Sequence, residues 1–399
     1  MPERKVYKFR IEPTSAQEAG LSRYAGARRF IFNWALARRK ESYQQTGKAI
    51  SWADLSGELT ELKSKADTKW LKEIDSQLVQ QALADCKRAF ANFFAKRAGY
   101  PRFKSRKDTG QSFRIPQRVK IEGGRVYLPK IDWLKIRQSQ PVDCPTKSAT
   151  FKRDACGRWF VTLVTEFDLP EREMPKVRLA DVVGGDVGLN TFLTLSDETP
   201  EIDNPRFYRA ASRKLRRAQR KLSRRQKGSR NRSKARFEVA KVHDRIAHQR
   251  ADFTHKLSFL LISNYLALSF ESLNTRGLAR TKLAKSVLDA AWGMFFRQLK
   301  YKGRWYNRHV VFVGQFFPSS KRCSECWQIK ENLRLSDREW DCQSCGRHHQ
   351  RDKNAAKNMQ SEGFRILVAA GHAETQNACG ASVRPEIQAV GGEARIPPL

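Results

Sequence analysis

The chain has 399 residues, of which 77 are lysine or arginine and 41 are aspartate or glutamate, so its formal net charge is +36. Such a charge opposes a compact state unless a polyanion neutralises it, which indicates a nucleic acid as the partner. No apolar run reaches the roughly 18 residues that span a bilayer, and the first residues lack the apolar core of a signal peptide. We therefore expect a cytoplasmic protein with no membrane partner.

The first half of the chain predicts a helical module inserted into a β module. Apolar and charged side chains alternate in residues 5–11, which predicts a short strand. Apolar spacings of three and four then predict helices through residues 14–97. From about Phe103 the period changes to two, with turns such as Gly123-Gly124, which predicts a small β-barrel or sandwich that the first strand could join.

The most basic stretch lies between Arg213 and Arg236, where thirteen lysines and arginines occur without a single acid. A charge run is usually a solvated face, but one without acids over this length favours a track for phosphates. Six of its arginines are the predicted nucleic-acid contacts: Arg213, Arg216, Arg217, Arg220, Arg224 and Arg225.

Three acids stand at comparable places in the elements predicted for the second half. Asp186 lies near the end of a strand, Glu271 follows a buried strand directly, and Asp352 begins a helix. Each acid alone is more often a turn, surface or helix-capping residue. Together they suit hydrolysis of a phosphodiester, in which two Mg²⁺ ions about 4 Å apart activate water and relieve phosphate charge, because such ions prefer carboxylate oxygens. The set predicts a metal-dependent nuclease with all three acids as catalytic residues and magnesium ligands.

Two C-x-x-C pairs, fifteen residues apart, precede Asp352: Cys323 and Cys326, then Cys342 and Cys345. This spacing predicts one structural Zn²⁺ bound by all four thiolates, and four protein ligands leave no open position for a catalytic zinc. We expect His348 and His349, which follow directly, to be surface or phosphate-contacting residues. The remaining cysteines are predicted to be ordinary thiols: Cys86, Cys144, Cys156 and Cys379.

In their order and spacing, the acids and the cysteine module resemble TnpB, the RNA-guided nuclease of IS200/IS605-type insertion sequences in prokaryotes and the apparent ancestor of the type V CRISPR Cas12 effectors. The most specific matching positions are Phe317-Pro318-Ser319-Ser320, Cys323-x-x-Cys326, Trp340-x-Cys342-x-x-Cys345-Gly346 and Arg351-Asp352-x-Asn354-Ala355-Ala356-x-Asn358. Further similar positions are Gly99-Tyr100-Pro101-Arg102-Phe103, Gly185-Asp186-x-Gly188, Asn377-Ala378-Cys379-Gly380 and Arg384-Pro385. The resemblance spans nearly the whole chain.

The resemblance implies an α+β multidomain fold with a RuvC nuclease domain of the RNase H type. The implied parts are a wedge β-barrel (residues 1–13 and 98–178), a helical recognition lobe inserted in it (14–97), the RuvC domain (179–320 and 347–375), a zinc-binding insert for the target nucleic acid (321–346) and a C-terminal tail (376–399).

By the same resemblance, the chain is an RNA-guided DNA endonuclease encoded by a mobile element, and it cuts guide-matched DNA beside a short flanking motif. Asp186, Glu271 and Asp352 would form the catalytic triad, and the basic helices would grip RNA and the guide–target heteroduplex. The implied partners are a guide RNA derived from the transposon end and a double-stranded DNA target. The implied particle is a monomeric ribonucleoprotein in the prokaryotic cytoplasm, associated with the nucleoid.

The flanking motif would be read by the wedge and the recognition lobe. Trp52, Ser56 and Gln80 are the candidate contacts. An ordinary role in helix packing or on the helix surface is an equal alternative for all three.

Two positions depart from the family pattern. Family members often have an aspartate where this chain has Gln350, and a glycine where it has Trp327. Gln350 offers no anionic ligand, although we expect Asp352 to suffice. Three alternative functions stay open: an RNA-guided DNA-binding repressor with weak nuclease activity, a small type V CRISPR effector, and a transposase that binds element ends without RNA.

Overall fold

The computed structural model describes residues 2–105, 110–170, 172–334 and 336–373. The chain folds into two compact units, one made of residues up to Arg172 with Arg206–Asp252 and the other of Glu173–Pro205 with the residues from Phe253 onward. No helix in the described ranges is long and apolar enough to cross a membrane. The predicted tail of residues 376–399, which includes Cys379, lies outside the described residues.

The first unit contains a seven-stranded sheet in which all the neighbouring strands are antiparallel. Its strands are β1 (Pro2–Ile11), β2 (Ser112–Ile115), β3 (Ile121–Glu122), β4 (Arg125–Leu128), β5 (Asp132–Arg137), β6 (Thr146–Arg153) and β7 (Trp159–Asp168). They lie in the order β2-β6-β7-β1-β5-β4-β3. Alternate residues of β1, namely Tyr7, Phe9 and Ile11, are buried as the period of two requires. The prediction that the N-terminal strand joins the later strands is confirmed.

Three α-helices connect β1 to β2: α1 (Ser15–Thr46), α2 (Trp52–Leu62) and α3 (Ser76–Phe94), with a 3₁₀ segment at Ala66–Glu73. The first begins at a capping box in which the Thr14 side chain accepts a hydrogen bond from the Gln17 N–H and the Gln17 side chain accepts one from the Thr14 N–H. It ends at Gly47, whose positive φ of 68° stops the helix. The helices and the sheet share one apolar core.

The basic stretch forms two helices, α4 (Phe207–Ser223) and α5 (Arg230–Asn264). A small apolar seam of Leu215, Val242 and Ile246 joins the two helices. Apart from Leu215, all residues from Arg213 to the end of α4 are exposed or half-buried. The hairpin therefore presents its charge to solvent.

The second unit contains a five-stranded sheet with the strand order β10-β9-β8-β11-β12. Its strands are β8 (Val182–Asp186), β9 (Thr191–Leu195), β10 (Ile202–Asp203), β11 (Ala267–Glu271) and β12 (His309–Val313). β8 and β10 are each antiparallel to β9, which lies between them, and β11 and β12 are parallel to β8. This mixed order is that of an RNase H-type nuclease domain, as predicted.

Besides the end of α5, the described residues of the second unit contain α6 (Thr275–Leu278), α7 (Ala284–Ala290), α8 (Trp292–Trp305) and α9 (Arg351–Ala369). Ala291 adopts a left-handed φ of 60° and separates α7 from α8. A short hairpin of β13 (Glu339–Asp341) and β14 (His348–Gln350) lies within the cysteine segment. β14 leads directly into α9.

Candidate functional site

Two of the predicted acids lie side by side at one edge of the five-stranded sheet. Asp186 ends β8 and Glu271 ends β11. These strands are parallel neighbours, and the register pairs Gly185 with Phe270, one residue before each acid. The carboxyl ends of parallel strands meet at the same sheet edge, so the register itself brings the two acids together.

The third acid, Asp352, stands in the first turn of α9. This helix packs on the sheet with very little space between the two backbones. A Cβ atom at Gly184 would collide with backbone atoms of α9, and a Cβ atom at Gly363 would collide with the side chain of Ser269. Only glycine at both positions lets α9 approach closely enough to bring Asp352 to the edge formed by Asp186 and Glu271.

The three acids interact electrostatically. Burial, followed by the negative charges of Asp352 and Glu271, raises the pKa of Asp186 to about 7 from its ordinary value of 3.8, against the opposing effects of Arg351 and the Val187 N–H. Burial also raises the pKa of Glu271. A carboxyl whose pKa is raised in this way loses its proton more readily when a cation lies beside it. The arrangement therefore favours divalent-cation binding.

The potential ligand atoms of the three acids are spaced more widely than those of the cysteines. Within the described ranges, the groups whose potential ligand atoms all lie within 4.8 Å of one another are the four cysteines and the set Asp154, Cys156 and Asp244. The three acids are therefore spaced more widely than ligands of one compact ion.

A fourth acid, Glu201, shares a cleft of about 230 Å³ with Asp352 and Gln350. Its carboxylate accepts hydrogen bonds from Thr191 at 3.0 Å and Thr194 at 3.3 Å. The sequence analysis missed Glu201. It follows a turn rich in acids, and no period or motif distinguishes it from its neighbours.

The four predicted cysteines form one cluster. The sulfurs of Cys323 and Cys345 are 3.7 Å apart, and those of Cys326 and Cys342 are 3.4 Å apart. A tetrahedral Zn²⁺ with bonds of about 2.3 Å would place its ligand sulfurs about 3.8 Å apart. The donor set and its spacing fit zinc.

The two cysteine pairs form matching turns. The Trp327 N–H donates to the Cys323 carbonyl at 3.0 Å, and the Gly346 N–H donates to the Cys342 carbonyl at 2.9 Å. Both donors have left-handed backbones, with φ of 69° and 70°. Glycine suits this conformation and tryptophan strains it. The guanidinium of Arg322 lies 4.3 Å from the centre of the Trp327 ring, which partly stabilises the residue in this position.

The prediction that His349 is a surface residue is wrong. Its side chain is buried, its Nε2 lies 3.0 Å from Cys323 Sγ, and its ring lies against Trp340 with centroids 4.7 Å apart. In β14 successive side chains point to opposite faces, so His349 points to the cluster while His348 points outward. His348 is exposed and its Nδ1 is 2.7 Å from Asp341 Oδ1. The alternation of a short strand could have indicated this difference.

The predicted nucleic-acid contacts on the basic helices are accessible. The six arginines from Arg213 to Arg225 that the sequence selects are all exposed. Within the described residues, none of the six forms an ion pair with an acid. Their charges are therefore available to a polyanion.

The three candidate readers of a flanking motif have different surroundings in the first unit. Trp52 is half-buried, packs edge-on against Phe90 with ring centroids 6.1 Å apart, and lies 4.3 Å from the Arg39 guanidinium. Ser56 and Gln80 are exposed. All three remain predictions.

A second cluster of potential ligands consists of Asp154, Cys156 and Asp244. The guanidinium of Arg158 lies 2.7 Å from an oxygen of each of the two aspartates. Both carboxylates are thus already paired with one cation. The cluster is an ion-pair network that ties α5 to the turn between β6 and β7.

Three family models match parts of the chain. Residues 1–48 match a model described as "Helix-turn-helix domain", residues 164–282 match the OrfB_IS605 model described as "Probable transposase", and residues 292–359 match a model described as "Cas12f1-like, TNB domain". The last range contains the four cysteines and Asp352. In the first range, Ser15–Thr46 form one continuous helix rather than two helices joined by a turn.

Relatives cover nearly all of the chain. The "Putative RNA-guided DNA endonuclease" of Streptomyces pristinaespiralis is 39% identical over 388 residues, which is 96% of this chain and 92% of the relative. The "Putative RNA-guided DNA endonuclease InsQ" of Escherichia coli (strain K12) is 35% identical over 386 residues, 92% of this chain and 94% of that protein. The "TnpB-like protein L770" of Acanthamoeba polyphaga mimivirus is 24% identical over 256 residues, 61% of this chain and 48% of that protein. With these identities over almost its full length, the chain belongs to the TnpB family.

Proposed function

We propose that this chain is an RNA-guided DNA endonuclease encoded by a mobile element, cutting guide-matched DNA next to a short flanking motif. The observation on which this rests most is the convergence of Asp186, Glu271 and Asp352 at one edge of an RNase H-type sheet. Two relatives more than a third identical to this chain bear the name of RNA-guided DNA endonuclease. A protein that only bound DNA would have no use for converging, half-buried carboxylates.

In this function the three acids would hold two Mg²⁺ ions. Bound ions supply an activated water and neutralise charge on the scissile phosphate. The negative charges of Glu271 and Asp352 both raise the pKa of the Asp186 carboxyl. All three carboxylates would serve as ligands of these ions. Asp186 must lose its proton to do so.

The cysteine cluster would hold one structural Zn²⁺ through Cys323, Cys326, Cys342 and Cys345. Four sulfurs close the coordination sphere, so these residues would shape the insert rather than act on substrate. The proposed insert comprises residues 321–346, within a RuvC domain of residues 179–320 and 347–375. Residues 1–13 and 98–178 would be the wedge, 14–97 the recognition lobe and 376–399 the tail.

The exposed arginines of α4 and the following turn would bind phosphates of the guide RNA and of the guide–target heteroduplex. Base pairing with the guide would select the DNA sequence, while the protein would read helix shape and the flanking motif. Trp52, Ser56 and Gln80 remain the candidates for that reading. The proposed particle is a monomeric ribonucleoprotein that acts on nucleoid DNA in a prokaryotic cytoplasm, with a guide derived from the transposon end.

One experiment tests this proposal. The protein is purified from cells, its bound RNA is sequenced, and the complex is incubated with guide-matched or unmatched DNA, with and without Mg²⁺. We expect bound RNA and Mg²⁺-dependent cutting of matched DNA only, abolished by Asp186→Ala. Absence of RNA would contradict the proposal and favour a transposase that binds its ends directly. Bound RNA without Mg²⁺-dependent cutting would favour an RNA-guided repressor.

A further inference from the structure

The cysteine cluster is physically joined to the segment that contains Asp352. The first link is His349, whose Nε2 lies 3.0 Å from Cys323 Sγ. His349 is in β14, which continues into α9 without an intervening loop, and Asp352 follows three residues later. A neutral imidazole that donates its Nε2 proton to a metal-bound thiolate would be a typical outer-shell partner of such a site.

The second link is Asn354, two residues after Asp352. Its side-chain amide donates to the Arg322 carbonyl at 2.7 Å, and its Oδ1 accepts a hydrogen bond from the Ser324 N–H at 2.9 Å. Arg322 and Ser324 flank Cys323 on both sides. Asn354 therefore holds the backbone of the first cysteine turn from the first turn of α9.

The third link is Asn358, one helical turn further along α9. Its amide donates to the Ser319 carbonyl at 2.7 Å and to the Arg322 carbonyl at 2.6 Å. Asn354 and Asn358 are only 2% and 5% exposed. Buried amides without partners are costly, so both residues depend on the turn of residues 319–324 staying in place.

We propose that the metal-loaded cysteine cluster positions Asp352, and that His349, Asn354 and Asn358, here called the clamp, transmit this effect. When the metal is bound, the first cysteine turn is rigid and the clamp holds the start of α9 against it. When the metal is lost, the turn loosens, the clamp loses its partners, and Asp352 no longer stays beside Asp186. This inference rests on the proposed role of the three acids in binding divalent cations.

Another contact also joins the start of α9 to the residues around the cysteines. The Arg351 guanidinium donates to the Arg334 carbonyl at 3.1 Å, and Arg334 lies in the loop between the two cysteine pairs. On the other side, the Lys353 ammonium donates to the Asp197 carbonyl beyond the end of β9. Arg351, Asn354 and Asn358 thus bond to residues 319–334, around the first cysteine turn, whereas Lys353 bonds to the side of the sheet.

The first test compares the full-length ribonucleoprotein with zinc and after treatment with a zinc-selective chelator that is then removed by dialysis. Hydrogen exchange is measured for residues 351–358, and Mn²⁺ binding at the acids is measured by titration. We expect exchange of the α9 start to be at least about tenfold faster and Mn²⁺ affinity about tenfold weaker without zinc. The sheet of β1–β7 serves as the internal control. Unchanged exchange in residues 351–358, with protection lost only in the cysteine turns, would overturn the proposal.

The second test uses the variants Asn354→Ala and Asn358→Ala. The matched control is Gln360→Ala, which removes an amide that donates from the same helix to the Leu179 carbonyl, away from the cysteines. We expect the two clamp variants to bind Mn²⁺ about tenfold more weakly than the control. Loss of zinc from them would also support the proposal, because coupling between two sites is reciprocal. Clamp variants with zinc content, exchange and Mn²⁺ affinity equal to the control would contradict it.

Neither readout requires nuclease activity, so the two proposals fail separately. If wild-type protein cuts no DNA but chelation still loosens residues 351–358 and weakens Mn²⁺ binding, the proposed function fails and the coupling stands. If wild-type protein cuts matched DNA and chelation changes neither cutting, exchange nor Mn²⁺ affinity, the coupling fails and the function stands. Should a clamp variant fail to fold, the comparison of wild-type protein with and without zinc decides alone.

Discussion

The backbone of α9 lies so close to β8 that a Cβ atom on Gly184 would collide with the carbonyl oxygen of Ala356. Ala356 stands four residues after Asp352, one turn further along the same helix. Two residues after Gly184 along β8 comes Asp186. The absence of a side chain at Gly184 is therefore what permits two of the three acids to meet.

We expect Gly184→Ala to displace α9 and reduce both stability and cleavage. Overpacking a site of this kind typically costs 1–3 kcal/mol, and collision with a backbone atom places this one near about 3 kcal/mol. The measurement is denaturant unfolding together with the rate of DNA cutting. Gly314→Ala is the control, because a Cβ at Gly314 meets nothing within 4 Å. Equal stability of the two variants would contradict the close approach.

Replacing Asp186 by asparagine is expected to remove activity and, above neutral pH, to stabilise the protein. The folded state raises the pKa of Asp186 to about 7, chiefly through burial. Protonated Asp186 therefore contributes fully to the stability of the folded protein below the ordinary pKa of 3.8. This contribution is lost as the pH rises through about 7. Asparagine stays neutral and avoids this loss. Without added divalent cation, the variant should melt on the order of 5 °C above wild type at pH 8 and about equally at pH 4.

The same pKa predicts how metal binding depends on pH. A divalent cation must displace the proton of Asp186, so Mn²⁺ affinity of wild-type protein should rise as the pH increases from 6 to 8. Melting curves and Mn²⁺ titrations over this range check both statements. A pH-independent affinity would mean that Asp186 is already ionised at pH 6.

Gln350 offers a way to separate helix capping from metal binding. It is the N-cap residue of α9, its side chain makes no capping hydrogen bond, and it shares the cleft with Asp352. Aspartate and asparagine both cap helices well, so Gln350→Asp and Gln350→Asn should each add about 0.5–2 kcal/mol to stability. Only the aspartate adds a charged ligand.

The cleavage rates of these two variants decide the role of position 350. We expect both to cut DNA within about threefold of wild type, since a cap alone changes little and Asp352 supplies the required carboxylate. The Mg²⁺ concentration that gives half-maximal cutting is the sensitive measurement. A much lower requirement in Gln350→Asp than in Gln350→Asn would show that the family's extra aspartate takes part in metal binding.

The exposed arginines predict a particular dependence of RNA binding on salt. Each phosphate contact contributes about 0.7–0.9 to the slope of log affinity against log salt. The double variant Arg220→Gln and Arg224→Gln should therefore lower that slope by about 1.4–1.8. Gln219→Ala, an exposed neutral residue on the same helix, should leave it unchanged. If the double variant leaves the slope unchanged, α4 is not part of the RNA-binding surface.

Several features of the fold were predictable because they depend on short-range patterns. The alternation in β1 and the apolar spacing in α1 each repeat over several residues, so their type is evident from the sequence. Ala291 shows the limit of this reasoning. Alanine favours helices, and nothing local indicates that this residue adopts a left-handed conformation between α7 and α8.

The sequence by itself determined which residues can do the chemistry: three acids at element ends, four cysteines at zinc spacing and a basic run without acids. Their convergence is a matter of tertiary structure. Strand register places Glu271 beside Asp186. Because Gly184 has no side chain, the helix that contains Asp352 can pack closely against β8.

Likewise, only the fold decided which polar residues near the cysteines are buried. The sequence shows Asn354 and Asn358 as motif positions and His349 as a polar residue of a short strand, but it does not show that their side chains are buried, because burial depends on what packs against them. The first cysteine turn supplies their partners from some 26 to 39 residues earlier in the chain. Interactions over such separations leave no local pattern, and so the link between the cysteine cluster and Asp352 becomes visible only in three dimensions.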